Sequence, residues 1–159
     1  MGRAAHNLNM LMAAQKSAIA GDIVLVSCVG EKGTINAEAK DLYQSTWFRK
    51  ARQWAEENGI RWYILSAKHG LLNPETKIEP YDISLLKMNK GEREQWGQRT
   101  SRQIHECISE DHPLVILAGI KYREVLNVRH HVSVPMEGLG IGQQLAWLNE
   151  RLTKQLELF

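Results

Sequence analysis

Several short stretches of this sequence carry side chains able to do chemistry. Ser27-Cys28 with Lys32 gathers a hydroxyl, a thiol and an ammonium, and Asp41-Leu42-Tyr43 follows closely. Such a set can hold an anion or orient a base. Cys28 becomes a nucleophile where a cation or a helix N-terminus lowers its pKa. A small buried residue in a tight turn is the competing account, and free cysteine is more often that. Ser66-Ala67-Lys68-His69-Gly70-Leu71-Leu72 sets a histidine that titrates near neutrality beside a lysine, with Gly70 free to make a sharp turn. Ile78-Glu79-Pro80-Tyr81-Asp82 places two carboxylates around a stiffening proline and a tyrosine. One acid, Glu79 or Asp82, could activate water or stabilise positive charge developing on a sugar. Tyr81 could stack on a base. Asp82 could instead be a helix N-cap.

Two further motifs offer anion contacts. Gly119 with Tyr122-Arg123 presents a guanidinium that can fork onto a phosphate, or simply lie on a helix surface. Gly138, Gly140 and Gly142 enter a helix, as phosphate cradles do. Their GxGxG spacing satisfies neither the dinucleotide fingerprint nor the P-loop. His130-His131 is a poor metal pair, because neighbouring strand residues point to opposite faces. No metal and no cofactor is expected. The stretch 87–102 holds five basic and two acidic residues plus Trp96. It could touch nucleic acid, but it reads better as a solvated helix face.

The elements that must position these residues follow from periodicity. A helix is expected over about residues 4–20, then a strand at 23–28 whose β-branched run lacks alternation. A polar loop fills 29–40 and a helix 42–58, with Phe48, Ala51, Trp54 and Ala55 on one face and Gly59 as its C′ residue. A strand at 62–66 precedes a long polar segment, 68–88, and a helix at 91–108. Strands at 114–118 and 131–134 flank a turn and a short helix at 122–128. The last helix carries the stripe Leu145, Leu148, Leu152 and Leu156. Strands alternating with helices imply right-handed crossovers and a parallel sheet. The expected fold is therefore α/β: one three-layer domain over residues 1–159, its core at 22–157, with a mainly parallel four-stranded sheet. Ligands of such sheets sit beyond the carboxyl ends of the strands; Ser27-Cys28, Ser66 with Lys68-His69, Gly119 with Tyr122-Arg123, and Met136 to Gly142 all fall on that rim.

Composition narrows the class. The chain has 159 residues, 43% hydrophobic and 24% charged, with net charge +2. That suits one globular domain and argues against disorder and against a strongly basic duplex-coating protein. Two cysteines without motif spacing fit a reducing, cytoplasmic compartment. The longest apolar runs are only strand-length, so no membrane span is expected. The oligomeric state stays open.

As a set, Ser27-Cys28-x-x-x-Lys32, Asp41-Leu42-Tyr43, Phe48-Arg49-Lys50-Ala51, Leu65 to Leu72, Glu79-Pro80-Tyr81-Asp82 and Gly138 to Leu145 resemble a family of small bacterial and phage proteins classed as a domain of unknown function. That family is similar to a segment of archaeosine synthase and, more distantly, to the uracil-DNA-glycosylase type of α/β fold. The resemblance implies chemistry on a nucleobase or its N-glycosidic bond, and a nucleic acid or nucleotide as partner. The leading expectation is a DNA glycosylase-like hydrolase acting on a modified base. Asp82, Glu79 and His69 would be catalytic. Ser27, Cys28, Lys32, Tyr43, Lys68, Tyr81, Tyr122, Arg123, Gly138, Gly140 and Gly142 would bind substrate. A non-catalytic nucleotide-binding or nucleic-acid-binding module and a Cys28-dependent thiol enzyme are the alternatives.

Overall fold

The computed structural model describes residues 21–28 and 32–156. The helix expected over residues 4–20 lies outside them, as does the side chain of Leu156. The first strand, β1 (Ile23–Ser27), is buried along its whole length. Its lack of alternation has a direct cause: both faces are covered. Val24 and Val26 join one apolar cluster, with Phe48, Ala51, Ala55 and Leu148. Ile23 and Leu25 join another, with Trp96, Ile104 and Ile108. Burying each such side chain stabilises the fold by about 1.5–3 kcal/mol.

The remaining elements, in chain order, are β2 (Ala37–Glu38), α1 (Ala39–Leu42), α2 (Thr46–Asn58), β3 (Arg61–Ser66), β4 (Gly70–Leu72), β5 (Lys77–Ile78), a 3-10 turn (Leu85–Lys87), α3 (Lys90–Cys107), β6 (Leu114–Leu117), α4 (Ile120–Arg123), β7 (Val132–Ser133) and α5 (Ile141–Leu156). The main sheet runs β4-β3-β1-β6-β7, and β2 pairs with β5 in a separate ribbon. β3, β1, β6 and β7 are mutually parallel. Helices α2 and α5 cover one face, joined by the Trp54 and Trp147 rings at 5.4 Å, and α3 covers the other. The chain leaves β1 toward β3 and later returns to its other side as β6. In open α/β sheets ligands bind where the strand order reverses, which here is at the carboxyl ends of β1 and β6.

The expected sheet had four strands, and the observed sheet has five. β4 runs antiparallel to β3, pairing Leu65 with Leu71 and Ile64 with Leu72. It sits inside the stretch expected to be a polar loop. Gly70 makes the reversal at φ +72, a left-handed conformation that costs glycine little. Gln103 on α3 clamps the turn, accepting the Leu71 N–H at 2.9 Å and donating to the His69 carbonyl at 3.2 Å. Gly70→Ala would strain this backbone and push a methyl against Thr100 Oγ1 and Gln103. A loss of about 2 kcal/mol is expected, readable as a lower chemical-denaturation midpoint. An unchanged midpoint would show that the turn does not need its glycine.

Helix boundaries also moved for local reasons. The helix expected from residue 42 begins at Thr46, because Ser45 Oγ accepts the Phe48 N–H and caps it. α3 begins at Lys90 behind a complete capping box between Asn89 and Glu92. Gly59 ends α2 in an extended conformation, not a left-handed one. Glycine suits that position because a Cβ would crowd the Arg61 carbonyl and Val24.

Candidate functional site

Parallel strand ends and the turn after β5 bring four distant side chains to one point. Tyr81 Oη lies 2.6 Å from Tyr43 Oη, 2.7 Å from Ser66 Oγ and 3.5 Å from Cys28 Sγ. Ser66, at the end of β3, also accepts the His69 N–H at 3.1 Å. Cys28 follows β1. The carbonyl of Cys28 accepts the Tyr122 hydroxyl at 3.5 Å. Lys32 pairs by backbone with Tyr43, which sets its ammonium 4.8 Å from the centre of the Tyr81 ring. Lys68 Nζ stands 5.9 Å from the same ring, and the His69 ring meets it edge-on at 5.7 Å. Both ammonium groups are within cation–π range.

Electrostatics define what these groups can offer. Burial first, and then the charge Cys28 would carry as a thiolate, push the Tyr43, Tyr81 and Tyr122 phenols above their ordinary value. At neutral pH they are hydrogen-bonding hydroxyls, not anionic nucleophiles. His69 is shifted down by burial, then by Lys68 and Arg99. Its Nε2 is enclosed without a hydrogen-bond partner among the described residues. The imidazole is therefore neutral near pH 7 and able to accept a proton.

The His69 shift has a stability consequence. Its folded pKa lies below the unfolded value of 6.5. The unfolded chain therefore binds more protons there, and stability falls as pH drops from the unfolded value toward the depressed folded one. Unfolding midpoints taken from about pH 7.5 to about pH 5 should fall more for the wild type than for His69→Gln. Parallel curves would refute the coupling.

The reacting space lies beside the Tyr81 hub. An open cleft of about 570 Å³ is lined by Lys32, Gly33, Thr34, Pro80, Tyr81 and Asp82. Asp82 is exposed at its edge. Glu79 is also exposed but does not line the cleft: Ile78 turns inward, which sends its neighbour out. Of the two acids, Asp82 is the one the fold delivers.

The other expected site residues take different places. Ser27, Tyr43 and Tyr122 are enclosed, at 1%, 2% and 3% exposure. They form the wall behind the rim and reach a ligand only through their neighbours. Cys28, 8% exposed, is a free thiol beneath the tyrosines. Arg123 is half-buried and tied down, donating to the Ala118 carbonyl at 3.0 Å and pairing with Glu137 at 3.4 Å. It links the end of β6 to the glycine turn. Gly138 adopts φ +78, while Gly140 N–H is capped by Gln143. Met136 and Leu139, on either side of Gly138, pack into the cluster containing Cys28, Tyr43 and Tyr81. The glycine turn itself does not line the Tyr81 cleft. His130 is buried, with Nε2 on the Ile108 carbonyl, whereas His131 is exposed. Among the described residues no group of three or more His, Cys, Asp or Glu is placed to hold a metal ion.

Two supporting residues were not foreseen. Trp96 is not on a solvated face: its indole N–H donates to the Ser66 carbonyl at 2.8 Å, buried beneath β3. Gln103 fixes the Lys68-His69-Gly70 turn. Both act across about thirty residues, which local patterning does not register.

The model of a family of unknown function, DUF6884, matches residues 23–150. The uncharacterized protein YfjM of Bacillus subtilis (strain 168) is 35% identical to the chain over 136 residues, covering 80% of this chain and 87% of that protein. No solved structure matches the chain significantly. Among the described residues no helix is long and apolar enough to cross a membrane.

Proposed function

The chain belongs to the DUF6884 family of unknown function, and from the geometry of its rim we propose that it is a base-processing hydrolase, a glycosylase of the uracil-DNA-glycosylase type acting on a modified base. The single observation carrying this reading is the convergence at the Tyr81–Asp82 cleft. There a carboxylate, an aromatic ring and an ammonium line one open space at the carboxyl ends of parallel strands. The resemblance of the same motifs to base-modifying proteins supports the choice of substrate.

In this scheme the target base leaves its stack and enters the cleft, because the glycosidic bond is otherwise out of reach. Tyr81 packs against the base. Lys32 and Lys68 hold flanking phosphates. Asp82 stabilises the oxocarbenium-like sugar and takes a proton from the attacking water. The C1′–N bond breaks with its electron pair on the base, and the water oxygen bonds to C1′. The base ends protonated, with the proton taken by Asp82 released to it or to solvent. A folded protein that forms no abasic sites, across a broad panel of modified DNA and RNA substrates, would refute the proposal; base release from at least one is the expected result.

A Cys28-dependent mechanism is disfavoured by the enclosure of the thiol. Cys28→Ser should retain most base release, within about fivefold, because a hydroxyl keeps the contact with Tyr81. A loss of about 10³-fold or more would move the chemistry to the thiol.

A further inference from the structure

A second cleft lies next to the first. It measures about 550 Å³ and is lined by Ala67, Lys68, Ile83, Met88, Glu92, Gln95, Trp96 and Arg99. The two clefts share a wall: Asp82 lines the first and the next residue, Ile83, lines the second. Lys68 belongs to the second cleft while its ammonium stands over the Tyr81 ring of the first. Each space is of a size that holds a small organic group.

The lining of the second cleft favours a polyanion with exposed apolar faces. Lys68 and Arg99 are both exposed cations. Arg99 spends one donor on the Lys68 carbonyl, and a guanidinium has five. The one carboxylate in the lining, Glu92, is engaged by the Asn89 N–H in the helix cap. Ile83 is 41% exposed at the edge, and Leu86 and Ile120 are 62% and 55% exposed on elements that pack together beside it. Aliphatic groups in the open suit the faces of unstacked bases. A duplex hides those faces and offers only edges and phosphates.

We infer that this second cleft, built on Lys68, Ile83, Trp96 and Arg99, is the subsite for the neighbouring nucleotides of a single-stranded polynucleotide. The protein therefore takes a strand, or a locally opened one, and not a free nucleoside. The inference rests on the base-processing reading and adds to it the polymeric nature of the substrate. Lys32 and Lys68, both within reach of the Tyr81 ring, then track successive phosphates while a base enters the first cleft.

The test measures binding by fluorescence anisotropy. The probes are thymidine monophosphate by competition, a labelled oligothymidylate of about eight nucleotides, the matching oligouridylate, and a duplex of equal length. The strand should bind at least ~10-fold more tightly than the mononucleotide and more tightly than the duplex. Its affinity should fall with salt, and Lys68→Glu and Arg99→Gln should each reduce the log–log salt slope by roughly 0.7–1. Arg99→Gln removes the charge together with one hydrogen bond to the Lys68 carbonyl, and Gln103 still clamps the turn. The oligouridylate arm separates RNA from DNA, and preference for either strand supports the inference. Equal affinity for mononucleotide and strand, tighter duplex binding, or unchanged salt slopes in both variants would overturn it. The two readings fail separately. Strand binding without base release would sink the glycosylase, and equal release from free nucleosides would sink the strand subsite.

Discussion

Asp82→Asn is expected to lower the rate of base release by about 10²–10⁴-fold while leaving binding intact. The side chain is exposed at the cleft edge, so the isosteric change removes a charge without disturbing packing. An amide cannot accept the proton of an attacking water, and it offers no anion to a cationic sugar. Removing a negative charge beside Lys32 should, if anything, tighten the hold on a phosphate-bearing ligand. Single-turnover rates and dissociation constants measured together separate these terms. A binding module would show unchanged affinity with no turnover in either protein. Equal turnover in both would clear Asp82 of the role and reopen the choice of acid, with Glu79 facing solvent nearby.

Tyr81→Phe should be the most damaging single-atom change in the rim. The hydroxyl joins Tyr43, Ser66 and Cys28, groups delivered by three separate segments. Its loss takes from the Tyr43 hydroxyl, 2% exposed, the partner at 2.6 Å and leaves it the Ser66 and Cys28 side chains, while Ser66 keeps the His69 N–H. Losing the buried hydrogen bonds of this hub costs about 1–3 kcal/mol. In a chain of this length each kcal/mol moves the melting temperature by about 2–4 °C, so a fall of roughly 2–12 °C is expected. Calorimetry of the two proteins checks it, and coincident transitions would mean that the hub contributes nothing to holding the rim together.

The parallel core was readable from the chain because burial on both faces leaves a strong mark. β6 is an uninterrupted apolar run and β1 is one up to Ser27, the pattern of strands covered on both faces. β4 left no such mark. Three residues are too few for periodicity, and the strand exists because Gly70 turns left-handed and a glutamine from α3 clamps it. The rim motifs were visible as residue types, and their shared edge followed from strand direction. Their individual roles did not follow. Tyr43 and Tyr122 read as substrate-binding residues in sequence, yet both are walled in, at 2% and 3% exposure. Tyr81 reads as a stacking ring, but its hydroxyl ties together groups 15, 38 and 53 residues away. Glu79 and Asp82 differ little as letters. Only the inward turn of Ile78 puts one of them at the cleft and the other in solvent.

Photocrosslinking tests most directly whether the ligand sits where the parallel strands end. The protein is irradiated with a short single strand carrying 4-thiothymidine, and the joined peptides are sequenced by mass spectrometry. Attachment should concentrate on the segment from Pro80 to Met88 and on the peptide bearing Lys32. Attachment confined to the separate cleft of Arg52, Arg61 and Pro74 near the start of β3, or none at all, would contradict the account.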